Sequence, residues 1–347
     1  MTEQLPPVSS DDLDEILRHT SADVWAGLRH ASIFLTGGTG FVGKWLLESL
    51  VRANRERDLG LVVTVLTRDP AAFQQACPHL AQAAIVKLVR GDVETFAFPS
   101  GQFSHVVHAA LPVAPPHADS AALEAVAVAG AQRVCAFAHA AGARRLLHVS
   151  SGAVYGPQDA GHPLVEDAVW SGGDAVNAYT RAKRQAERVV RTEGPAETVI
   201  ARCFAFVGPW LQPSSGSAAA DFIARAAHGR EIVVSGTGTA VRSYQYAGDM
   251  ARWLLTCLVS GRAGEAYNVG SDVATSIAEL AHAVAGQAGS AMPVRVLGGA
   301  APGLAGARYV PDTGRARREL GLTNVVGLQD GIRRTLAWHA CAELIRD

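Results

Sequence analysis

The stretch Thr36-Gly37-Gly38-Thr39-Gly40-Phe41-Val42-Gly43 decides the fold of this chain. It follows an apolar run at 31–35 that predicts a buried strand, and it opens a segment at 41–55 with apolar residues at helical spacing. Glycine at 37 permits a tight turn, glycine at 40 allows close approach to a pyrophosphate, and glycine at 43 allows the helix to pack against the strand. Because the N–H groups and the dipole of a helix N-terminus favour an anion, the stretch predicts a dinucleotide site.

Strands and helices continue to alternate beyond this turn. The apolar runs predict further strands at 61–66, 85–89, 105–108, 145–149 and 198–202. Helical spacing predicts helices at 70–82, 118–141 and 175–191, and a leading helix that runs from a cap at Ser9 or Ser10 to about residue 29. Short, continuously apolar strands between helices indicate an α/β fold with a doubly wound parallel sheet, the Rossmann arrangement.

The pattern of apolar and polar residues changes after residue 202. Residues 208–217 are rich in glycine, proline and serine, and the strand and helix patterns that follow are shorter and mixed. We therefore predict an N-terminal helical extension at 1–30 and a dinucleotide-binding Rossmann domain at 31–205. A smaller mixed α/β substrate-binding subdomain is predicted at 206–347, with segments that return to the Rossmann domain.

The composition argues against several functional classes. With a formal charge of −1, the chain lacks the basic excess that a nucleic-acid or anionic-membrane partner would require. The five cysteines are scattered with no C-x-x-C pair, so we expect neither a metal site nor disulfides, only small buried hydrophobic thiols. The acidic N-terminal segment lacks the apolar core of a signal peptide, and no window approaches about 20 uninterrupted apolar residues, so we expect a cytoplasmic protein.

The end of the second predicted strand bears on the choice of cofactor. A carboxylate at this point would bind the ribose hydroxyls of NAD, whereas an arginine suits the 2′-phosphate of NADP. Arg68 stands nearer the strand and Asp69 follows it, which favours NADP slightly over NAD. Arg68 would otherwise be a solvated turn residue or stack on the adenine.

A tyrosine, a lysine and a serine form the candidate catalytic group. Tyr179 and Lys183 lie four residues apart in a predicted helix, which places the phenol and the ammonium on one face. Free tyrosine titrates near pH ~10, so a cation at ~4 Å is what would allow it to act as a general acid–base near neutrality. Ser151 ends the fifth predicted strand, where ligands bind in open α/β sheets, and its hydroxyl would donate to a substrate oxygen.

With these residues the chain resembles the extended short-chain dehydrogenase/reductase superfamily, and in particular its NAD-dependent epimerase/dehydratase family, which acts on nucleotide sugars. The resemblance covers residues from about 31 to about 330. It rests on eight short motifs in family order: TGGTGFVG at 36–43, GDV at 91–93, HAA at 108–110, SSGAVYG at 150–156, YTRAK at 179–183, RCFAFVGP at 202–209, RSYQYAGD at 242–249 and YNVG at 267–270.

The resemblance implies catalytic, substrate-binding and cofactor-binding residues. Tyr179 and Lys183 would act in catalysis and bind the nicotinamide ribose, and Ser151, rather than Ser150, would be the catalytic serine that also binds substrate. Arg242 would bind the diphosphate of the sugar nucleotide. The other cofactor contacts would come from Gly37, Thr39, Gly40, Phe41, Val42 and Gly43 in the pyrophosphate turn, Arg68 at the adenosine ribose, Asp92 and Val93 at the adenine, and Ala109 and Ala110 at the ribose–nicotinamide side.

Several positions depart from the family pattern. Sugar-nucleotide 4,6-dehydratases commonly carry Thr-Asp-Glu where this chain has Ser151, Gly152 and Ala153, so the extra acid and base for removing water across C5–C6 are missing. Ala205 and Ala127 replace two family asparagines. The first change weakens the usual diphosphate contact, and the second weakens the proton relay of the wider superfamily.

The leading hypothesis is an NAD(P)-dependent, epimerase-like enzyme that acts at a ring carbon, C4, of a nucleotide-activated sugar. An NADPH-dependent 4-ketoreductase, which Arg68 would suit, and a dehydratase or decarboxylase of a nucleotide sugar are the alternatives. A non-catalytic nicotinamide-sensing protein is an alternative of another class. The resemblance also implies a homodimer formed through the helices near 118–141 and 175–191.

Overall fold

The turn at 36–43 joins a strand of a seven-stranded sheet to a long helix. The computed structural model describes residues 4–110, 120–158, 162–170, 176–289, 292–298 and 307–344. The strands there are β1 (Ser32–Thr36), β2 (Val62–Thr67), β3 (Val86–Arg90), β4 (His105–His108), β5 (Arg145–Ser151), β6 (Glu197–Cys203), β7 (Ala205–Val207), β8 (Ile232–Val234), β9 (Val241–Arg242), β10 (Tyr244–Tyr246), β11 (Ala266–Val269), β12 (Thr275–Ser276), β13 (Val294–Val296) and β14 (Arg308–Tyr309). The helices are α1 (Ser10–His19), α2 (Ala22–Gly27), α3 (Phe41–Arg57), α4 (Pro70–Ala76), α5 (Pro78–Ala81), α6 (Ser120–Ala140), α7 (Ala178–Glu193), α8 (Ala218–Ala227), α9 (Ala247–Ser260), α10 (Ile277–Ala288), α11 (Gly314–Leu320) and α12 (Leu328–Leu344).

The order of the strands confirms the predicted doubly wound sheet. The seven strands lie in the order β11-β6-β5-β4-β1-β2-β3. The pairs β1–β2, β1–β4, β2–β3 and β4–β5 are parallel. Thr36 of β1 pairs with His108 of β4, which pairs with His148 of β5. The carboxyl ends of these three strands therefore meet at one edge of the sheet, where ligands bind in such folds.

Two helices predicted as single elements are each broken in two. Ser9, not Ser10, caps α1 by accepting from the Asp12 N–H, and the chain is then extended at Thr20 before Ser21 caps α2. The predicted helix at 70–82 divides into α4 and α5 at Cys77, which has non-helical angles before Pro78. Proline restricts the preceding residue and lacks an N–H, so the break has a local cause.

Helix α6 is long and largely apolar. Residues Ala121–Ala140 are long and apolar enough, by length and composition alone, to cross a membrane. Glu124 and Arg133 interrupt this stretch, so it is not a run of uninterrupted apolar residues. One side of α6 packs into the core through side chains such as Ala131, Val134 and Ala138. The predicted positions 118, 119 and 175 lie outside the described residues.

The cysteines are as scattered in the structure as in the sequence. All five are free thiols, and Cys77, Cys135, Cys203 and Cys257 are buried. Cys341 is exposed, so the expectation of small buried hydrophobic thiols is wrong at this position.

The chain forms two structural units, each built from several segments. The first consists of Met1–Val154, Asp174–Arg202 and Ala251–Tyr267, and the second of Tyr155–Gly173, Cys203–Met250 and Asn268–Asp347. The first unit thus takes in the N-terminal helices and residues 251–267, which differs from the ranges drawn on the sequence. Within the second unit β7 pairs with β10 and β8 with β13 in parallel, while β9 pairs antiparallel with β12 and parallel with β14, which makes that small sheet mixed.

Candidate functional site

The glycine-rich turn has the backbone geometry that its sequence requires. Gly37 has φ 72°, in the left-handed region, and a Cβ there would lie 2.6 Å from the carbonyl carbon of Ala109. Its carbonyl oxygen accepts from the Gly40 N–H at 3.1 Å, which closes the turn. Gly40 is the N-cap of α3, and because it has no side chain, the N–H groups of the first helical turn receive no side-chain cap from it. This end of α3 suits an anion.

The turn is packed tightly from two sides. A Cβ on Gly43 would collide with the Gly37 carbonyl oxygen and with Gly38 Cα, so glycine at 43 lets α3 approach the turn itself. On the other side, Ala109 N–H donates to the Thr36 carbonyl at 3.2 Å and Ala110 N–H donates to Thr36 Oγ1 at 3.3 Å. These bonds hold the end of β4 beside the end of β1.

The residues predicted to meet the adenosine lie at the ends of β2 and β3. Arg68 is exposed after β2, while Asp69 Oδ1 caps α4 by accepting from the Ala72 N–H at 3.0 Å. Asp92 Oδ1 accepts from the Glu94 N–H at 3.0 Å, which fixes a local turn after β3. Val93 packs against the core close to Gly130 of α6. The structure thus gives Asp69 and Asp92 local structural contacts in addition to any role towards a cofactor.

The tyrosine and lysine lie on α7 beside the end of β5. Lys183 is 5% exposed and its Nζ donates to the Val149 carbonyl oxygen at 2.9 Å. The same Nζ lies 5.8 Å from the centroid of the Tyr179 ring. Tyr179 is partly buried against the core, and Asn177 caps the helix just before it. The predicted helical spacing therefore places the ammonium on the same side of the helix as the Tyr179 ring.

The structure distinguishes the two serines at the end of β5. Ser150 is buried, and its hydroxyl donates to Glu187 Oε1 at 2.5 Å. Glu187 also pairs with Arg202 at 2.9 Å, in an ion pair whose two side chains are 0% and 4% exposed. Ser151 Oγ instead accepts from the Ala153 N–H at 3.1 Å, on the turn that follows the strand. Since the Ser150 proton is committed to a buried carboxylate, Ser151 is the better candidate to donate to a substrate.

Two buried histidines beside this group were not predicted as functional residues from the sequence. His108 Nδ1 lies 2.9 Å from Thr36 Oγ1, and its ring centroid lies 5.2 Å from that of His148. Burial, and then the charge of Lys183, lower the pKa of His108 to about 3. Burial, His108 and Lys183 lower the pKa of His148 well below its usual value. His108 stands in the HAA motif and His148 lies two residues before the SSGAVYG motif, and these positions were the available signal.

Arg242 belongs to the second unit and is described within it. Its Nη1 donates to the carbonyl oxygens of Val241 at 2.9 Å and Ala307 at 3.2 Å, and its Cζ lies 6.0 Å from the Tyr309 ring centroid. The side chain is therefore held in place by backbone and an aromatic ring. A guanidinium has five N–H donors, so donors remain for an anion.

The first unit as a whole brings the predicted glycine turn, Ala109, Ala110, Ser151, Tyr179 and Lys183 to the carboxyl edge of one parallel sheet. Such an arrangement at the carboxyl ends of parallel strands is typical of nucleotide-binding α/β proteins. The model of the NAD dependent epimerase/dehydratase family matches residues 33–270. The chain belongs to this family.

Relatives and solved structures agree with that assignment. UDP-glucuronic acid decarboxylase 1 of Xenopus tropicalis is 27% identical over 313 residues, covering 88% of this chain and 71% of the relative. A dTDP-glucose 4,6-dehydratase of Streptomyces niveus is 27% identical, with 88% and 92% covered. The NAD-bound dTDP-glucose 4,6-dehydratase DesIV of Streptomyces venezuelae superposes with a TM-score of 0.74 at 25% identity, covering 89% of this chain and 97% of that one. These similarities support NAD and give no support to the slight preference for NADP that was based on Arg68.

Proposed function

We propose that the protein is an NAD-dependent enzyme that epimerises a nucleotide-activated sugar at C4 of the ring. The observation that carries this is the grouping of Ser151, Tyr179 and Lys183 at the edge of the sheet, followed by Gly152 and Ala153, which bear no carboxylate. The group provides one acid–base, one hydrogen-bond donor and one cation. That set is sufficient to remove and return a proton at a single hydroxyl.

The glycine turn supports a dinucleotide as the cofactor. Side chains at Gly37 and Gly43 would fill the space against the turn, and the uncapped start of α3 offers N–H groups to a pyrophosphate. When bound, the nicotinamide would accept hydride from the sugar carbon and give it back. Gly37, Thr39, Gly40, Phe41 and Val42 would hold the pyrophosphate. Ala109, Ala110, Tyr179 and Lys183 would hold the nicotinamide ribose.

The protein residues divide the proton chemistry between them. Tyr179 Oη takes the proton from the substrate hydroxyl as the carbon is oxidised, and Ser151 donates to the same oxygen and polarises it. Lys183 stabilises the phenolate form of Tyr179, since a cation 5.8 Å from the ring centroid favours the charged state. Arg242, held by the carbonyls of Val241 and Ala307, would bind the diphosphate of the substrate.

The relatives act on UDP-glucuronic acid and dTDP-glucose, which supports a nucleotide sugar as the substrate class. A 4,6-dehydratase would need a further acid and base beside C5 and C6, and positions 152 and 153 do not supply them. A decarboxylase needs only oxidation at C4 before carbon dioxide leaves, so it is the second candidate, favoured by the similarity to UDP-glucuronic acid decarboxylase 1.

The test is to incubate the protein and NAD with UDP- and dTDP-hexoses and with UDP-glucuronic acid, and to follow the products by mass spectrometry and NMR. A C4 epimer of unchanged mass supports the proposal, and loss of carbon dioxide would make the protein a decarboxylase. A non-catalytic nicotinamide sensor would leave every substrate unchanged while still binding NAD.

A further inference from the structure

His148 is a buried histidine whose ring makes no hydrogen bond within the described part of the chain. The residue lies in β5 and is 2% exposed. Both Nδ1 and Nε2 are buried without a partner among the described residues. An unsatisfied buried polar atom costs free energy, and native structures contain few of them. An imidazole kept in this state calls for an explanation beyond packing.

The His148 ring borders a cavity that also reaches Lys183. Its lining also includes His108, Ala127 and Ala186, and the volume of about 210 Å³ includes space that is open to solvent. The His148 ring itself is buried, so its nearest polar groups are those that line the cavity.

Lys183 is the cation that lines this cavity together with the His148 ring. Glu187, one turn further along α7, pairs with Arg202 of β6 and accepts from Ser150. Nδ1 of His108 of β4 is engaged with Thr36, and α6 contributes the apolar Ala127 to the cavity. Among the described residues that line the cavity, the ammonium of Lys183 is the charged donor beside the imidazole.

The imidazole of His148 is neutral in this setting. Burial, His108 and the charge of Lys183 all lower the pKa of His148. A neutral imidazole has one N–H and one nitrogen with a free lone pair. The favourable tautomer turns the lone pair towards the ammonium, which has three N–H groups and gives one of them to the Val149 carbonyl.

We propose that His148 is a positioning residue for Lys183: its neutral imidazole lines the same cavity, offers the ammonium an acceptor besides the Val149 carbonyl, and thereby keeps the ammonium charged and close to Tyr179. The proposal deepens the proposed function and rests on it, since it concerns the lysine of the Tyr179–Lys183 pair. A buried ammonium without this acceptor holds its proton less tightly, and a tyrosinate beside it loses its stabilising charge.

The test compares His148→Leu, which removes the acceptor, with His148→Gln, which keeps one. Tyrosinate formation is followed by ultraviolet absorbance as the pH is raised, in the absence of substrate. The same titration is made on each variant combined with Tyr179→Phe, and the difference between the two curves isolates the signal of Tyr179. His105→Leu is the control, because His105 is another buried histidine of the same sheet and lies at the opposite end of β4. If His148→Leu does not fold, His148→Met takes its place under the same criteria.

The proposal predicts that the tyrosinate midpoint moves up by about one pH unit in His148→Leu, a tenfold change in the ionisation constant, and by far less in His148→Gln and His105→Leu. An unchanged midpoint in His148→Leu, or an equal shift in His148→Gln, would overturn it. Because this titration uses no substrate, its outcome is independent of the turnover assay, and the failure of the epimerase assignment would be seen separately in wild-type protein.

Discussion

The ammonium of Lys183 donates a hydrogen bond to the main-chain carbonyl of Val149 at 2.9 Å. This bond ties the middle of α7 to the end of β5, two residues before Ser151. It thereby fixes the position of Tyr179, one helical turn before Lys183, relative to the serine. A mechanism that uses both hydroxyls on one substrate oxygen depends on this connection.

Replacing Tyr179 by phenylalanine tests the assigned acid–base. We expect kcat to fall by roughly 10²–10⁴-fold, the usual contribution of a positioned general acid–base. Tyr267→Phe is the matched control, since its hydroxyl accepts from the Arg262 main-chain N–H at 3.1 Å and Tyr267 is not one of the predicted site residues. Steady-state kinetics on the two variants check this, and equal losses of turnover in both would count against the role of Tyr179.

The two neighbouring serines provide a second matched comparison. Ser151→Ala should lower kcat by at least about tenfold with a small change in KM, because the lost hydrogen bond to the substrate oxygen strengthens as charge develops. Ser150→Ala should lower stability instead, since it leaves Glu187 with one hydrogen bond fewer in a buried ion pair. The measurement is kcat and the urea midpoint for each variant, and a reversed pattern would assign the catalytic role to Ser150.

A comparison of Gly37 with Gly142 separates the effect of tight packing against Gly37 from the effect of its left-handed backbone angle. Gly37 and Gly142 have φ values of 72° and 69°, but a Cβ at 142 meets nothing within 4 Å whereas one at 37 meets the Ala109 backbone. Gly142→Ala should cost about 1 kcal/mol of unfolding free energy. Gly37→Ala should cost more and also weaken NAD binding by tenfold or more, measured by calorimetry. Equal effects on NAD binding would show that the turn does not contact the cofactor.

The lowered pKa values of two histidines in β4 predict that the folded protein loses stability in acid. Burial lowers the pKa of His108 to about 3 and that of His105 to about 4, from 6.5 in the unfolded chain. Below pH 6.5 the unfolded chain binds protons that these side chains do not take up in the folded state, so the unfolding free energy falls as the pH drops. Each residue contributes a slope of about 1.4 kcal/mol per pH unit within its window.

Urea unfolding across that range checks the sign and the size of the effect. His105→Gln and His108→Gln should each reduce the pH slope by about one proton between about pH 4 and 6. Slopes equal to that of the wild-type chain in both variants would show that other groups cause the acid sensitivity.

The sheet was predictable from sequence because its strands are short, buried on both faces and separated by helices. His105–His108 was predicted with the bounds that β4 has. The breaks at Thr20 and Cys77 were not, since helical periodicity continues across both, and only the cap at Ser21 and the proline at 78 reveal them. Boundaries of this kind depend on the local chemistry of a single residue, so hydrophobic periodicity alone predicts them poorly.

The site was predictable in part for similar reasons. Spacing placed Tyr179 and Lys183 on one helical face, but it could not show that Lys183 is anchored on Val149 or that Ser150 is committed to Glu187. Those contacts join residues 34 and 37 positions apart, and tertiary packing alone brings them together. The sequence predicts the histidines at 108 and 148 only as strand residues. Their burial beside Lys183, which the structure shows, makes them candidate functional residues.

The most direct test of the central claim is turnover of UDP- and dTDP-hexoses in D₂O with NAD, followed by mass spectrometry and NMR of the product. The account predicts a C4 epimer with no deuterium on carbon and no net consumption of NAD, because the hydrogen leaves and returns as hydride at one carbon. Loss of water or carbon dioxide, deuterium at a ring carbon, or consumption of reduced cofactor in proportion to product would contradict it.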